Sequence, residues 1–256
     1  MDVCKQIAIL AAVVFLPPVA AVAQSITWSS PVAIGADSTV LDNGSADWAY
    51  AFGASSNTTV NGVTFTGASS LGSVSSNLTF SDTVGDTFDT AGDFGPAGSL
   101  STNYNDILNN GLYWTSGTIT VTLTGLSPGQ EYQLQFWVSD VRDYTQEENR
   151  QETLDDGRGD TTVVDFNATQ ISGSPGQTVT GEFTATSSTG SFTITPVNEN
   201  DGDSAPSQIN AMDLEAIPEP ADFALWCGVA VLGWVISLRL PGFASRRLRT
   251  ADSRRV

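Results

Sequence analysis

The stretch GTITVTLTGLSPGQEYQLQFWVSD, from Gly117 to Asp140, has the clearest strand pattern in the chain. Apolar residues alternate with polar ones in both halves, and a period of two places alternate side chains on opposite faces of a β-strand. Ser127-Pro128-Gly129-Gln130 separates the halves and has the composition of a tight turn. The stretch therefore predicts a β-hairpin with one apolar face. The apolar positions are Ile119, Val121, Leu123, Tyr132, Leu134, Phe136 and Val138.

Short alternating segments of the same kind recur along the chain, separated by glycine, serine and asparagine. Such segments predict strands joined by turns. Helical spacing is nearly absent. The exception is residues 104–110, where Asn103 is expected to cap a short helix and Gly111 to end it. The further strands are predicted within 48–52, 60–67, 177–186, 190–197 and 210–217.

Many short strands and few helical segments favour an all-β fold, an antiparallel β-sandwich of the jelly-roll type. The pattern resembles galactose-binding-like jelly rolls over residues 24–216. A fibronectin type III-like sandwich is the alternative, because TGLSPGQEYQLQF resembles that family's turn and tyrosine. The length favours the jelly roll, since the segment is about twice the size of a seven-stranded immunoglobulin-like unit. In this fold the strand at 212–216 returns to the core.

The N-terminus has the pattern of a secretory signal peptide. Lys5 precedes an apolar run from Ile7 to Leu16, and small residues follow as far as Ala21-Val22-Ala23. This order predicts that signal peptidase cleaves after Ala23, so that residues 1–23 are removed and Gln24 becomes the first residue. The alternative is an N-terminal membrane anchor, but the run is too short for a hydrocarbon core of about 30 Å.

Charge and composition exclude several classes of function. The chain has 28 acidic and 10 basic residues, no histidine, and a formal net charge of −18. An acidic surface repels nucleic acid, so no such partner is expected. The lack of histidine removes the commonest general base and most zinc sites. Cys4 and Cys227 lie outside residues 24–216, so no disulfide is predicted in the body of the chain.

The C-terminal segment, residues 217–256, differs from the acidic body. The 16 residues from Phe223 to Leu238 carry no charge, and a single transmembrane helix is predicted at about 223–240. Trp226 and Trp234 suit the membrane interface, and the arginines beyond the apolar run place the tail in the cytoplasm and the body outside. These arginines are Arg239, Arg246, Arg247, Arg249, Arg254 and Arg255.

Pro218-Glu219-Pro220 precedes this apolar run, and the three parts together resemble the PEP-CTERM sorting signal of Gram-negative bacterial exported proteins. The resemblance covers residues 217–256 and implies recognition by an exosortase, a membrane-embedded cysteine protease-transpeptidase. The two prolines favour an extended, accessible segment, which suits recognition by a protease. The implied route is export, anchoring in the inner membrane by one C-terminal helix, and release to the cell surface or medium.

Trp137 is a candidate for ligand binding, because it shares a strand face with Gln133 and Gln135. An aromatic ring beside amides suits stacking on a sugar, for example in an extracellular polysaccharide. The alternative is that both faces of the sheet are covered and Trp137 belongs to the core. Asp140, Arg142 and Asp143 follow directly, and they form either a ligand rim or a structural ion pair.

Acidic loops are candidates for calcium. Asp155, Asp156 and Asp160 lie among glycines and offer the hard oxygen ligands that Ca²⁺ prefers, although the spacing is not that of an EF-hand. Calcium is the one cofactor that the sequence suggests, and a solvated acidic loop is the alternative. Residues 82–93 and 198–203 contain similar aspartates and fail the EF-hand spacing likewise.

Sequence motifs of catalysis are absent: there is no G-x-S-x-G elbow and no phosphate-binding G-x-x-x-x-G-K. The leading hypothesis is therefore a non-enzymatic surface or extracellular-matrix protein, exported and sorted by an exosortase. A carbohydrate-binding module is the first alternative. A glycoside-active enzyme that uses paired carboxylates is the second, because the chain has many acids from which such a pair is drawn.

Overall fold

Strands form wherever apolar and polar residues alternate. The computed structural model describes residues 24–42, 46–82, 85–89, 100–115, 117–140, 150–169, 173–198 and 206–218. One α-helix, α1 (Thr102–Asn109), lies among the strands. The strands are β1 (Thr27–Trp28), β2 (Val32–Ala33), β3 (Ala46–Phe52), β4 (Thr58–Val60), β5 (Val63–Ala68), β6 (Leu78–Phe80), β7 (Asp86–Asp89), β8 (Asn110–Trp114), β9 (Ile119–Thr124), β10 (Glu131–Val138), β11 (Arg150–Asp155), β12 (Thr161–Asp165), β13 (Gln177–Thr184), β14 (Thr189–Asn198), β15 (Ser207–Ile209) and β16 (Ala211–Ala216).

Two large sheets form a β-sandwich. One has eight strands in the order β1-β13-β10-β16-β3-β5-β4, with β2 also paired to β13. The other has five strands in the order β12-β11-β14-β9-β6, and a small third sheet has the order β15-β8-β7. The prediction of an all-β fold is confirmed. The strands predicted within 177–186, 190–197 and 210–217 correspond to β13, β14 and β16. The antiparallel prediction is wrong at one place, because β3 and β5 run parallel.

The main core lies between the two large sheets. Leu134 and Phe136 of β10 point into it from one side, and Val121 of β9 and Ile194 of β14 point into it from the other. Burying each such side chain stabilises the fold by roughly 1.5–3 kcal/mol. Trp28 of β1 crosses the gap and meets the Phe192 ring edge-on, with the ring centroids 5.6 Å apart.

The predicted hairpin at residues 119–138 is wrong. β9 pairs with β14 and β6, whereas β10 pairs with β13 and β16, so the two strands lie in different sheets. The turn between them carries the chain across the core, with Gln130 N–H donating to Ser127 O at 3.0 Å and Gly129 N–H donating to Ala185 O at 2.7 Å. The predicted apolar face is confirmed, because both strands turn their apolar residues to the same core.

A second core covers the other face of the eight-stranded sheet. Tyr104, Ile107 and Leu108 of α1 pack there against Phe65 and Trp137 of the sheet. The helix begins at Thr102, and Ser101 is its N-cap, accepting a hydrogen bond from Tyr104 N–H at 3.1 Å. The short helix was predicted correctly, but its cap lies two residues before the predicted Asn103. The eight-stranded sheet is therefore covered on both faces.

Several predicted features lie outside the described residues. They are the signal peptide with Ala21 and Ala23, and most of the C-terminal segment, including Glu219, Pro220, the helix at about 223–240, both tryptophans and the arginines. Within the described ranges, no helix is long and apolar enough to cross a membrane. Gln24 and Pro218 are described: Gln24 is buried and Pro218 is exposed.

Candidate functional site

Trp137 is a core residue and offers no platform to a ligand. Its side chain is 0% exposed. The ring meets the Phe65 ring edge-on at a centroid distance of 5.5 Å, and the indole Nε1–H donates to Tyr104 Oη at 2.9 Å. The ligand-platform prediction for Trp137 is wrong, because α1 covers this face of the sheet.

Gln135, predicted to bind a ligand beside Trp137, holds a loop in place. Its Oε1 accepts a hydrogen bond from Leu41 N–H at 3.0 Å, and its Nε2 donates to Thr39 O at 2.6 Å and to Thr178 Oγ1 at 3.1 Å. Gln133 is half-buried and lies between Glu182 and Glu215 of the neighbouring strands. The three residues share a strand face, as predicted, but they form no common binding surface.

The Asp156 carboxylate, predicted to bind calcium, accepts hydrogen bonds that stabilise the β11–β12 hairpin. Its side chain is 1% exposed. Oδ1 accepts from the N–H groups of Arg158 and Asp160 at 2.7 and 3.1 Å, and Oδ2 accepts from Ile26 N–H at 3.2 Å. Burial raises the pKa of Asp156, but these backbone hydrogen bonds outweigh burial and leave the pKa below its ordinary value.

The other two predicted calcium ligands are not brought together with Asp156. Asp155 Oδ1 accepts from Gly157 N–H at 2.7 Å, in a turn of the same hairpin. Among the residues that the structure describes, no three His, Cys, Asp or Glu side chains are arranged to hold a metal ion. The calcium prediction for Asp155, Asp156 and Asp160 is therefore corrected: the carboxylates of Asp155 and Asp156 accept backbone N–H groups, and Asp160 contributes its own N–H to Asp156.

Asp140 forms a buried ion pair with Arg150, a residue that the predicted group of Asp140, Arg142 and Asp143 did not include. Its Oδ2 lies 2.9 Å from Arg150 Nη1, with the two side chains 0% and 9% exposed. The Arg150 guanidinium also lies over the Phe166 ring, 4.4 Å from its centroid, and Nη2 donates to Pro206 O at 3.2 Å. Arg142 and Asp143, the other members of the predicted rim, lie outside the described residues.

A buried polar network extends from this ion pair and was missed by the sequence analysis. Gln208 N–H donates to Glu152 Oε1, and Gln208 Nε2 donates to Ser139 O at 2.8 Å. Ser139 N–H donates to Asn210 Oδ1 at 2.7 Å, and Asn210 Nδ2 donates to Leu108 O at 2.8 Å. A signal was available, because alternation in β11 places Glu152 on the same inward face as Leu154.

An open groove lies where the β3–β4 connection, β7 and the end of α1 meet. Its cavity volume is about 480 Å³. The backbone of Gly53 lies so close to Gly111 that a larger residue would not fit, because a Cβ on Gly53 would lie 2.7 Å from Gly111 N. A Cβ on Gly111 would lie 2.4 Å from Cε1 of Phe88, so the Phe88 ring lies directly against this backbone. Hydroxyl and carboxylate groups line the remainder: Ser55, Ser56, Thr58, Thr87, Asp89 and Asp106.

A second hollow of about 340 Å³ lies beside Trp48 and Tyr132. Both aromatic side chains belong to the core, with 9% and 4% of their surfaces exposed. Trp48 lies against Tyr50 in a tilted arrangement at a centroid distance of 5.5 Å, and Tyr132 stacks on Phe183 at the same distance. Their rings are therefore engaged by the protein itself, and the groove at Phe88 is the better candidate for a ligand.

Comparisons with known proteins give a fold likeness only. No protein-family model and no curated protein matches the sequence. The extracellular domain of ANXUR1 from Arabidopsis thaliana is similar in structure, with a TM-score of 0.49 and 12% identity over 76% of this chain and 54% of that one. The ANXUR2 extracellular domain from the same plant gives a TM-score of 0.44 and 13% identity over 68% and 49%. The chain thus spans about half the length of these structures.

Proposed function

We propose that this chain is an exported, non-enzymatic protein of the cell surface or extracellular matrix, held briefly in the inner membrane and sorted by an exosortase. The observation that carries the proposal is the tripartite C-terminal pattern of Pro218-Glu219-Pro220, an uncharged run and an arginine-rich tail. The uncharged run suits a membrane-spanning helix, and the arginines that follow it suit a cytoplasmic tail. The three parts stand in the order and at the distances of a PEP-CTERM sorting signal.

The end of the fold suits this proposal. β16 ends at Ala216, in the middle of the eight-stranded sheet between β10 and β3. Pro218 follows two residues later and is exposed. A last strand that ends before the motif suits recognition of the motif by a protease, because proline does not continue a central strand.

The start of the fold supports cleavage by signal peptidase after Ala23. Gln24 N–H donates to Ser191 O at 3.3 Å, and Gln24 Nε2 donates to Thr184 O at 2.9 Å. The residue predicted to become the N-terminus is therefore already part of the sandwich.

The eight-stranded sheet is larger than the sheets of a seven-stranded fibronectin type III-like unit, which favours the jelly-roll-like description.

The sorting signal is tested by replacing Pro218, Glu219 and Pro220 with alanine in the full-length chain. We expect the variant to accumulate in the inner membrane with its C-terminal segment attached, because the exosortase no longer recognises it. Pro241→Ala, which lies beyond the apolar run, is the matched control and should be delivered normally. Normal surface delivery of the triple variant would refute the proposal.

A further inference from the structure

We propose that the groove at Phe88 is a binding site for a neutral or amino sugar, with the Phe88 ring as its stacking surface. This inference goes beyond the sorting route and does not depend on it. It also relocates sugar binding away from Trp137, the residue that the sequence had suggested.

The stacking surface is held in place by the fold. The Phe88 ring lies against the Gly111 backbone, where a Cβ would come within 2.4 Å of Cε1 and 2.5 Å of Cζ. Tyr113 adds a ring contact, with its centroid 6.5 Å from that of Phe88. Phe88 is half-buried and lines the groove, so part of the ring is supported by protein and part faces the cavity. A supported aromatic ring suits the apolar face of a pyranose.

The rest of the lining suits a ligand rich in hydroxyl groups. Side-chain hydroxyls from the β3–β4 connection and β7 line the same groove as the ring, and so do the carboxylates of Asp89 and Asp106. A cavity of about 480 Å³ falls within the range typical of small-ligand sites. An apolar peptide side chain would displace water from these hydroxyl and carboxylate groups without replacing the hydrogen bonds that water makes, which disfavours apolar peptides as ligands.

The negative charge of the groove favours neutral and amino sugars over uronic acids. The groove is lined by Asp89 and Asp106 and by no basic residue among the described lining. A uronic acid would bring a third carboxylate to this groove, whereas the ammonium group of an amino sugar would form charge-assisted hydrogen bonds with the two aspartates. Neutral sugars are accepted through their hydroxyls, and uronic acids are rejected.

The test is isothermal titration of the purified full-length chain in mild detergent. The probes are oligomers of glucose, N-acetylglucosamine, glucosamine and galacturonate. We expect binding of the first three and none of galacturonate. Phe88→Ala should weaken the affinity roughly tenfold, and Phe88→Tyr should restore it because the ring is kept. Val163→Ala, at an exposed position on β12, is the matched control and should bind as the unmodified chain does.

Asp106→Asn isolates the charge argument. It should weaken glucosamine binding more than glucose binding, because the amine carries a charge that pairs with the carboxylate, whereas an amide oxygen still accepts from a sugar hydroxyl. The proposal is overturned by any of three results: no sugar binds, galacturonate binds best, or folded Phe88→Ala binds as tightly as the unmodified chain. Because the assay uses purified protein, failure of the sorting route leaves this test unaffected.

Discussion

Glu152 and Gln208 meet in the buried interior through one hydrogen bond, and each has a side-chain oxygen that receives no donor from the residues that the structure describes. Gln208 N–H donates to Glu152 Oε1. Within the described part of the chain, Glu152 Oε2 and Gln208 Oε1 are buried acceptors without a hydrogen-bond partner. A carboxylate and an amide oxygen both accept, so only a protonated Glu152 has a donor to offer at Oε2.

Glu152→Gln should stabilise the protein at alkaline pH. Burial raises the pKa of Glu152 well above its ordinary value of 4.5, against the opposing effects of Gln208 N–H and the Arg150 charge. The folded state therefore binds this proton more tightly than the unfolded state, so the stability it contributes is complete below pH 4.5 and lost as pH rises through the folded pKa. The substitution removes the ionised carboxylate whose Oε2 has no donor among the described residues, and one buried unsatisfied acceptor costs about 1–3 kcal/mol.

Urea denaturation between pH 4.5 and pH 8.5 measures this effect. Asp213, whose pKa is raised by burial and by the nearby Glu215, contributes a pH dependence of the same sign. Glu152→Gln should therefore flatten the profile without abolishing it. A variant that is less stable than the unmodified protein at pH 8 would show that the ionised carboxylate is the favoured form.

Asp156→Ala should destabilise the hairpin strongly. The carboxylate accepts hydrogen bonds from Ile26, Arg158 and Asp160 N–H, and loss of charged hydrogen bonds of this kind costs about 1.5–3 kcal/mol each. Because the pKa is lowered, this stability is also lost as pH falls through the folded pKa. Asp155→Ala, which removes one exposed contact, is the control. Thermal melting with and without millimolar Ca²⁺ should give the same loss, and a calcium-dependent loss would restore the metal-site hypothesis.

Trp137 tests the assignment of the second core. Trp137→Phe keeps a ring against Phe65 and removes the hydrogen bond to Tyr104, so it should cost about 1 kcal/mol. Trp137→Ala also leaves a cavity, and it should cost about 3–5 kcal/mol in urea denaturation. Sugar binding by folded Trp137→Phe should be unchanged, and its loss would return the ligand site to this residue.

The sequence predicts which face of a strand is buried better than it predicts which strands pair with each other. Alternation in β9 and β10 correctly identified the side chains that face the main core, but it carries no information about which sheet a strand joins. The sequence left open whether the β10 face with Gln135 and Trp137 binds a ligand or is covered by protein. The structure shows that it is covered, because Gln135 binds the loop at Leu41 and Trp137 packs against Phe65. The sequence pattern does not predict the groove, because residues 53–58, 87–89 and 106–110 are brought together only by long-range packing.

Gln24 should resist cyclisation in the folded protein. After cleavage at Ala23, attack of the α-amine on the side-chain Cδ would form a lactam and expel Nε2 as ammonia. The fold opposes this step, because N–H and Nε2 are bound to Ser191 O and Thr184 O and the residue is 2% exposed. Intact mass should show little ammonia loss under native conditions and faster loss in denaturant. Equal rates in the two states would contradict the docking of Gln24.

The sorting route is the central claim, and mapping both ends of the protein recovered from its own cells tests it most directly. Mass spectrometry of the surface and medium fractions should find a chain that begins at Gln24 and ends upstream of Phe223, because signal peptidase and an exosortase remove the two terminal segments. The uncleaved chain should appear only in the inner membrane. A surface protein that retains the tail from Arg239 to Val256, or a chain found intact in the cytoplasm, would contradict the account.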